Sequence, residues 1–451
     1  MTTAEPAPDT LSDEEPIEHV ALSLEEAVDL AIQFLRAGNV ATALPILAEA
    51  ERTKPDDAVI QHFHGIALSQ SGQAEEALAK MESSLRIEPA IAGWWNNYGN
   101  VLRGCERLDA AIDAYKQALE LDPEFPEPYN NLGIVQRARR NLSIAEACFA
   151  KAIALNPDYA DAYANLGNLL VARGEGLQGV KMLFRAVTLC PHDGTSKRAL
   201  AYAYGELGEV DKARDIYREW VKDEPDNPIP RHHLAAVEGA APGRASDDYV
   251  RRVFDSFAPN FDTKLDQLGY RAPELANALL REWAPERASG LSIADLGCGT
   301  GLCGPDLRAR ARQLVGVDLS GGMLERARER GCYDELIEQE LTAFLNERPA
   351  AFDALICADT FCYFGELGAA LAASARSLKP GGAIVFTVES LADGDDGIRL
   401  AHHGRYAHGR PYVEKTLREA GLVPSRMLHE ILRSESGHDV FGYVLLAEKP
   451  A

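Results

Sequence analysis

Residues 294–301 read Ala-Asp-Leu-Gly-Cys-Gly-Thr-Gly and close an apolar run that begins at Leu291. The apolar run predicts a buried β-strand, and the three glycines predict a sharp turn at its carboxyl end. A glycine-rich turn there lets the backbone come close to a ligand, because no side chain stands in the way. The stretch therefore predicts a ligand site at the end of a sheet strand.

Further apolar runs follow and alternate with amphipathic segments. The runs 291–296, 313–317, 352–357 and 383–388 predict strands, and the segments 323–330 and 366–377 predict helices. Such alternation predicts an α/β, Rossmann-like domain with a mostly parallel sheet covered by helices on both faces. The last two runs, 426–432 and 440–447, have only a short turn between them, so they predict an antiparallel hairpin at a sheet edge.

The N-terminal half is a repeat. Prolines stand at positions 55, 89, 123, 157, 191 and 225, with 34 residues between each pair. A 34-residue period is typical of tetratricopeptide helical hairpins, and each proline is expected to end a second helix. This part resembles the tetratricopeptide repeat family. We predict an α solenoid of about six repeats and a capping helix over 22–240, a linker at 241–248 and the α/β domain at 249–451.

Asparagines recur at equivalent positions of successive repeats, namely Asn97, Asn131 and Asn165. An amide side chain both donates and accepts hydrogen bonds, so a ladder of them can hold an extended peptide by its main chain. The pattern is similar to the asparagine ladder in the repeats of O-linked N-acetylglucosamine transferases. It predicts a protein or peptide partner in the groove. The alternative is that these asparagines bond within the array.

Composition excludes several classes of protein. Lys and Arg number 46 against 69 Asp and Glu, a net charge of −23 that argues against nucleic acid or an anionic membrane as partner. No apolar run of ~18 residues predicts a membrane span. Residues 1–21 are acidic and predict a disordered tail rather than a signal peptide. The eight cysteines form no CxxC pair, which favours reduced thiols and a cytoplasmic location over structural zinc.

The loop after the first predicted strand is GxGxG preceded by Asp295, whereas a dinucleotide site has GxGxxG, and the second predicted strand ends in Asp318. With these residues the α/β part resembles the class I S-adenosylmethionine-dependent methyltransferases. The resemblance implies S-adenosyl-L-methionine as cofactor. It implies that the glycines line the methionine and ribose, that Asp318 binds both ribose hydroxyls, and that the residues after it meet the adenine. The implied cofactor residues are Asp295, Gly297, Gly299, Gly301, Asp318, Leu319, Met323, Glu340 and Leu341.

Two segments are predicted to form the part of the site that holds the molecule receiving the methyl group. Residues 249–262 resemble the N-terminal cap of small-molecule methyltransferases, with Phe261 where a tyrosine is usual. The alternative is that its phenylalanines only pack one helix. Asp359 and Tyr363 follow the fourth strand, so we expect them at the substrate pocket. The Asn/Asp-Pro-Pro-aromatic tetrapeptide of the base-methylating branch is absent there, which argues against a nucleic-acid substrate.

Residues 398–412 are rich in histidine, arginine and tyrosine and predict a substrate lid. Histidine takes up a proton near neutral pH, so His408 or His403 is the predicted general base. Arg405 and Arg410 are predicted to bind an anionic substrate beside Tyr406, because guanidinium binds carboxylate in a two-pronged manner. The alternative is a solvated or contact loop. The histidine spacing is not that of a zinc site.

Together these patterns predict a methyltransferase whose repeats recruit a peptide, protein or carrier-bound substrate, with direct displacement of the methyl group to O or N. Two alternatives stay open. One is a small-molecule methyltransferase that uses its repeats for oligomerisation. The other is a repeat scaffold whose α/β domain is inactive or only senses the cofactor. The intact glycine turn and Asp318 favour an enzyme.

Overall fold

The computed structural model describes residues 22–240, 242–284, 290–392, 394–435 and 438–451. The predicted acidic tail, 1–21, lies outside the described residues. By its internal contacts the chain divides into two compact units, one up to Pro157 and one from Asp158 to Ala451. We describe each unit separately.

The first unit consists of helical hairpins. Each second helix ends two residues before one of the periodic prolines, because the residue before a proline avoids the helical conformation. Alanines of the repeat, such as Ala77 and Ala111, are fully buried where the helices meet. The helices are α1 (Leu24–Arg36), α2 (Val40–Thr53), α3 (Ala58–Gln70), α4 (Ala74–Ile87), α5 (Ala92–Gly104), α6 (Leu108–Leu121), α7 (Pro126–Ala138) and α8 (Leu142–Leu155).

The amides of the predicted asparagine ladder already have partners. Asn131 is buried, and its Nδ2 donates to Asn96 Oδ1 at 2.9 Å. The amide of Asn97 lies 3.2 Å from His62 Nε2. Asn165 lies in the second unit and also has an interaction partner. The amides of Asn97 and Asn131 thus already bond within the array, which favours the alternative reading of these asparagines.

We expect His62 to make stability depend on pH. Its ring stacks on Trp94 with centroids 4.5 Å apart, and burial lowers its pKa to about 4. The unfolded chain keeps the ordinary histidine pKa of ~6.5, so the neutral ring stabilises the fold above that pH. This contribution is lost as pH falls towards 4, at up to about 1.4 kcal/mol per pH unit. Urea unfolding of wild type at pH 7, 6 and 5 should show a steeper loss than His62→Phe, whereas His192→Phe, at an exposed position, should match wild type.

The second unit begins with further hairpins and ends in the α/β domain. Its first helices are α9 (Ala160–Ala172), α10 (Gly176–Leu189), α11 (Gly194–Glu206), α12 (Val210–Asp223) and α13 (Pro228–Val237). The later helices are α14 (Asp247–Phe257), α15 (Phe261–Gln267), α16 (Ala272–Trp283), α17 (Gly304–Arg308), α18 (Gly321–Glu329), α19 (Leu341–Asn346), α20 (Gly368–Ser377) and α21 (Arg410–Glu419). The strands are β1 (Leu291–Leu296), β2 (Ala311–Asp318), β3 (Glu335–Glu338), β4 (Phe352–Cys357), β5 (Leu378–Ser390), β6 (Ile398–Leu400), β7 (Tyr406–His408), β8 (Val423–Glu435) and β9 (His438–Glu448).

The strands form one sheet in the order β3-β2-β1-β4-β5-β7-β6, and β9 pairs antiparallel with β5 and with β8. The pairs that join β3, β2, β1, β4 and β5 are all parallel. Apolar side chains cover both faces: Phe344 and Leu371 belong to one buried cluster, Leu280 and Leu307 to the other. The predicted fold class, helical repeats followed by a mostly parallel α/β domain with an antiparallel hairpin, is confirmed.

Two predicted loops are ordered parts of this unit. Residues 398–412 form the β6–β7 hairpin and the start of α21, and β7 pairs parallel with β5. This segment is therefore part of the sheet and not a free lid. In the predicted linker, residue 241 lies outside the described part. Ala245 N donates to Tyr363 O at 2.8 Å, and α14 already begins at Asp247, so 242–248 pack on the α/β domain.

Candidate active site

A cavity of about 280 Å³ lies at the carboxyl ends of β1, β2 and β4. The carboxyl ends of parallel strands meet at one edge of a sheet, which is where ligands bind in open α/β folds. One end of the cavity is bordered by the glycine turn after β1 and the residues that follow β2 and β3. The other end is bordered by α14, α15 and the turn after β4.

The glycine turn has a left-handed backbone that favours glycine. Gly297 has φ 68°, and a Cβ there would lie 2.2 Å from Thr360 Oγ1. Gly297 and Gly299 both border the cavity, as predicted. Gly301 is not part of the described lining, because its α-carbon faces Tyr333, where a Cβ would lie 2.9 Å from the ring. Gly301 thus allows close packing inside the domain rather than contact with a ligand.

Asp318 stands at the end of β2 with its carboxylate held by the backbone. Gly299 N donates to Oδ2 at 2.8 Å and Ser320 N donates to Oδ1 at 2.9 Å. Burial raises the pKa of this carboxyl, and the backbone donors oppose that rise. Because each oxygen has further lone pairs, the carboxylate can accept hydrogen bonds from a ligand while its orientation stays fixed.

Asp295 is almost fully buried below the glycine turn, and it borders the cavity. The Tyr333 hydroxyl donates to its Oδ2 at 2.8 Å. Burial raises the pKa of Asp295 to about 7. Burial therefore favours the protonated form of this carboxyl, and its hydrogen bond fixes Tyr333 against the turn.

The segment after β3 completes this end of the cavity. Leu319, Glu340 and Leu341 border it as predicted, and so does Gln339, which the sequence analysis missed although it adjoins the predicted pair. Glu340 also accepts from Ala343 N at 2.9 Å, so it caps α19. Met323 is fully buried and lies outside the described lining, because it faces the interior from α18.

The other end is an aromatic wall, made of Phe254, Phe257, Phe261, Tyr270 and Tyr363. The ring centroids of Phe254 and Phe261 are 6.0 Å apart, and those of Phe254 and Tyr363 are 5.4 Å apart. The phenylalanines do not pack one helix, since α14 ends at Phe257 and α15 begins at Phe261. Tyr270 was missed because its segment carried no motif.

Beside the aromatic wall lies a charged cluster of two arginines and three carboxylates. Arg433 binds both carboxylate oxygens of Asp359, at 2.9 and 2.8 Å, and pairs with Glu389. Its Nε donates to Glu435 at 2.6 Å. Arg405 donates to Glu389 at 2.6 Å and to Glu435 at 2.5 Å. The cluster is almost wholly buried at Arg433, which is 2% exposed.

This pairing changes the interpretation of two predicted residues. Arg405 borders the cavity, but its guanidinium is already bound by carboxylates, so an anionic substrate would have to displace them. Asp359 borders the cavity too, with φ 55° and its carboxylate held by Arg433. Arg433 was missed because it lies beyond the predicted strand 426–432, where no pattern revealed an inward-pointing arginine.

Four predicted residues of the segment 398–412 lie outside the described lining of the cavity. His408 is fully buried, and its Nε2 donates to Gly365 O at 3.0 Å. Burial lowers the pKa of His408 and of His403, whose Nε2 is 3.7 Å from Glu389. The Tyr406 hydroxyl donates to Pro242 O at 2.7 Å. Arg410 is exposed and pairs with Glu414. The geometry therefore does not support their predicted roles as bases or substrate ligands, because the hairpin turns His403, Tyr406 and His408 into the domain and α21 exposes Arg410.

Within the described residues there is no group of three metal-binding side chains, and no helix has the length and apolarity needed to cross a membrane.

Residues 294–386 match the family model of a methyltransferase domain. Models of the tetratricopeptide repeat match residues 99–138, 148–175 and 195–237. These matches agree with the two-part organisation predicted from the sequence.

Curated relatives match the α/β part. The biotin biosynthesis bifunctional protein BioHC of Saccharophagus degradans is 32% identical over 198 residues, 40% of this chain and 34% of that protein. Methyltransferase-like protein 27 of Homo sapiens is 44% identical over 84 residues, 18% and 34% of the two chains. The ubiquinone biosynthesis O-methyltransferase of Xylella fastidiosa (strain 9a5c) is 30% identical over 146 residues, 31% and 59%. The chain thus spans from a third to three fifths of these relatives.

Solved structures similar to this chain include Pseudomonas aeruginosa pilF, with 19% identity, a TM-score of 0.41 and coverage of 47% of this chain and 96% of that one. The type IV pilus biogenesis factor PilW has 18% identity, a TM-score of 0.42 and coverage of 47% and 98%.

Proposed function

We propose that this chain, a methyltransferase domain preceded by tetratricopeptide repeats, binds S-adenosyl-L-methionine in the 280 Å³ cavity and transfers its methyl group to an acceptor held by the aromatic wall. The observation that carries the proposal is Asp318, a carboxylate fixed by two backbone amides beside a glycine turn. When bound, the cofactor supplies a methyl group made electrophilic by its sulfonium.

The residues at this end of the cavity fit such a cofactor. Asp318 can accept hydrogen bonds from two neighbouring hydroxyls of a ribose. Leu319 and Leu341 provide apolar surfaces for the faces of an adenine. Gly297 and Gly299 leave room for a ligand to approach the backbone, because neither has a side chain.

We call the end of the cavity that is bordered by the aromatic wall and the charged cluster the acceptor end. It can orient the acceptor, exclude water and take up a proton. Methyl displacement needs alignment of the nucleophile, exclusion of water and, where the acceptor releases a proton, a group that takes it up. The aromatic wall excludes water. Burial raises the pKa of Tyr363, so its hydroxyl stays protonated and can donate to the acceptor. Asp359 borders the cavity, and we assign proton uptake to it because its cluster has three carboxylates for two arginines.

The acceptor end of the cavity best suits an uncharged, planar molecule that receives the methyl group on an oxygen atom. The wall is aromatic, and the charged cluster has one more carboxylate than arginine. Relatives named as ubiquinone biosynthesis O-methyltransferases favour oxygen over nitrogen. Tetratricopeptide repeats form curved surfaces that bind other chains, and we assign to them a protein or peptide partner that carries or delivers the acceptor. All eight cysteines are free thiols, which suits our proposal of a cytoplasmic location.

Label transfer tests this function. The full chain is incubated with methyl-labelled S-adenosylmethionine and with either the small-molecule or the protein fraction of a cell extract. We expect label in one fraction, and we expect Phe261→Ala to reduce it at least about tenfold by opening the wall to water. Phe441→Ala is the matched control, because Phe441 is 46% exposed on β9. If the cofactor binds and neither fraction gains label, the chain is not acting as an enzyme on these substrates, and the cofactor-sensing scaffold becomes the better assignment.

A further inference from the structure

The turn between β6 and β7, residues 401–405, contacts the last repeat helices, and the proposed function does not use it. We call it the hairpin tip. His402 Nε2 lies 2.7 Å from Glu206 Oε1, at the end of α11. Two histidines of α13 bind its backbone: His233 Nδ1 lies 3.2 Å from His402 O, and His232 Nε2 lies 2.8 Å from Gly404 O.

The two histidines are built into the interior. Both are buried. The His232 ring stacks on the Tyr249 ring with centroids 4.0 Å apart, and the His233 ring stacks on the Tyr217 ring with centroids 5.4 Å apart. Burial lowers the pKa of both, to about 3 for His233, so both rings are neutral at pH 7. A neutral imidazole has one N–H, and a carbonyl can only accept. The hydrogen therefore sits on Nε2 of His232 and on Nδ1 of His233.

Gly404 can lie against His233 and Tyr249 because it has no side chain. Its φ is 89°, and a Cβ would lie 2.8 Å from the Tyr249 hydroxyl and 2.9 Å from the His233 ring. The tip thus lies directly against α13 and α14.

The next residue, Arg405, faces the opposite way. It borders the cavity and binds Glu389 and Glu435 of the charged cluster. Its backbone N donates to His403 Nδ1 at 3.3 Å. A shift of the tip therefore moves the guanidinium that holds two carboxylates beside the aromatic wall.

We propose that His232 and His233, on the last repeat helix, are positioning residues for the acceptor end of the cavity. They hold the carbonyls of His402 and Gly404, and this fixes Arg405 and the charged cluster. Among the described residues, the hydrogen bonds of the tip lead to α11, α13 and the charged cluster, whereas those of Asp318 lead to the glycine turn and Ser320. We therefore expect the Asp318 end to stay as in wild type. The proposal rests on the proposed function only where it identifies the acceptor end.

Hydrogen–deuterium exchange on the full chain tests the proposal. The double variant His232→Leu/His233→Leu removes both donors while it keeps apolar bulk. The matched control, His232→Gln/His233→Asn, restores an N–H near each original position. We expect the leucine variant to exchange at least about tenfold faster at 401–408 and at 430–435, since two hydrogen bonds are lost and the loss of one alone accounts for about tenfold. Residues 297–320 should be unchanged, and the control variant should stay close to wild type.

Faster exchange at the tip alone, with 430–435 unchanged, would overturn the proposal, as would equal effects of both variants. If the double leucine variant does not fold, His232→Leu alone serves instead, because it removes the donor to Gly404 O and keeps the donor of His233. We then expect a smaller rise in exchange at the same two segments, and no rise at 430–435 overturns the proposal. S-adenosylhomocysteine binding is measured in parallel. Its absence in wild type would defeat the proposed function and leave the exchange result to decide the positioning role.

Discussion

Arg433→Met should lower the free energy of unfolding by about 3–5 kcal/mol, the range expected when one partner of a buried ion cluster is removed. Methionine keeps the apolar bulk, but Asp359, Glu389 and Glu435 lose their shared cation. Arg405 alone cannot pair with all three. Urea unfolding followed by circular dichroism measures the loss, and the transition of the α/β domain should move to lower urea.

Arg426→Met is the matched control on the same strand. Arg426 pairs with Glu282 at 3.2 Å, and both side chains are more than half exposed, at 61% and 57%. Exposed pairs contribute about 0–1 kcal/mol, so this variant should unfold nearly as wild type does. Equal losses for the two variants would contradict the assignment of the charged cluster as a buried, mutually dependent group.

Asp318→Ala should weaken binding of S-adenosylhomocysteine by about hundredfold or more. The variant loses two charge-assisted hydrogen bonds to ribose, each worth about 1.5–3 kcal/mol. It also frees Gly299 N, which loses its carboxylate partner beside the turn. Titration calorimetry measures the affinity, and circular dichroism verifies the fold.

The matched control is Asp353→Ala. It also removes a carboxylate that accepts a hydrogen bond from a backbone amide of the same sheet, but away from the cavity. Asp353 binds Ser292 N at 2.8 Å and Lys379 at 2.8 Å, near the amino ends of β1 and β4 and away from the cavity. It should lower stability and leave affinity unchanged. Unchanged affinity in the Asp318 variant would contradict the assignment of β2 as the ribose-binding strand.

The fold was predictable because its signals are local and periodic. The proline period marks the end of each second helix, and the apolar runs coincide with β1, β4 and the middle of β5. The glycine turn and Asp318 could be found for the same reason, since a strand, a turn and an acidic strand end lie close together in the chain.

The acceptor end was less predictable because distant segments build it. Asp359, Glu389, Arg405 and Arg433 come from four separate elements, and no spacing in the sequence relates them. The composition of 398–412 suggested a lid because histidine and arginine are common at active sites. In the structure the hairpin uses the same side chains for hydrogen bonds inside the domain. Gly301 and Met323 show the same limit, because the direction that a residue faces depends on its packing partners.

Titration of S-adenosylmethionine into the full chain tests the central claim most directly. The account predicts saturable binding of one molecule per chain that S-adenosylhomocysteine displaces and that Asp318→Ala weakens by about hundredfold. Absence of binding at millimolar cofactor by the folded wild-type chain would contradict it.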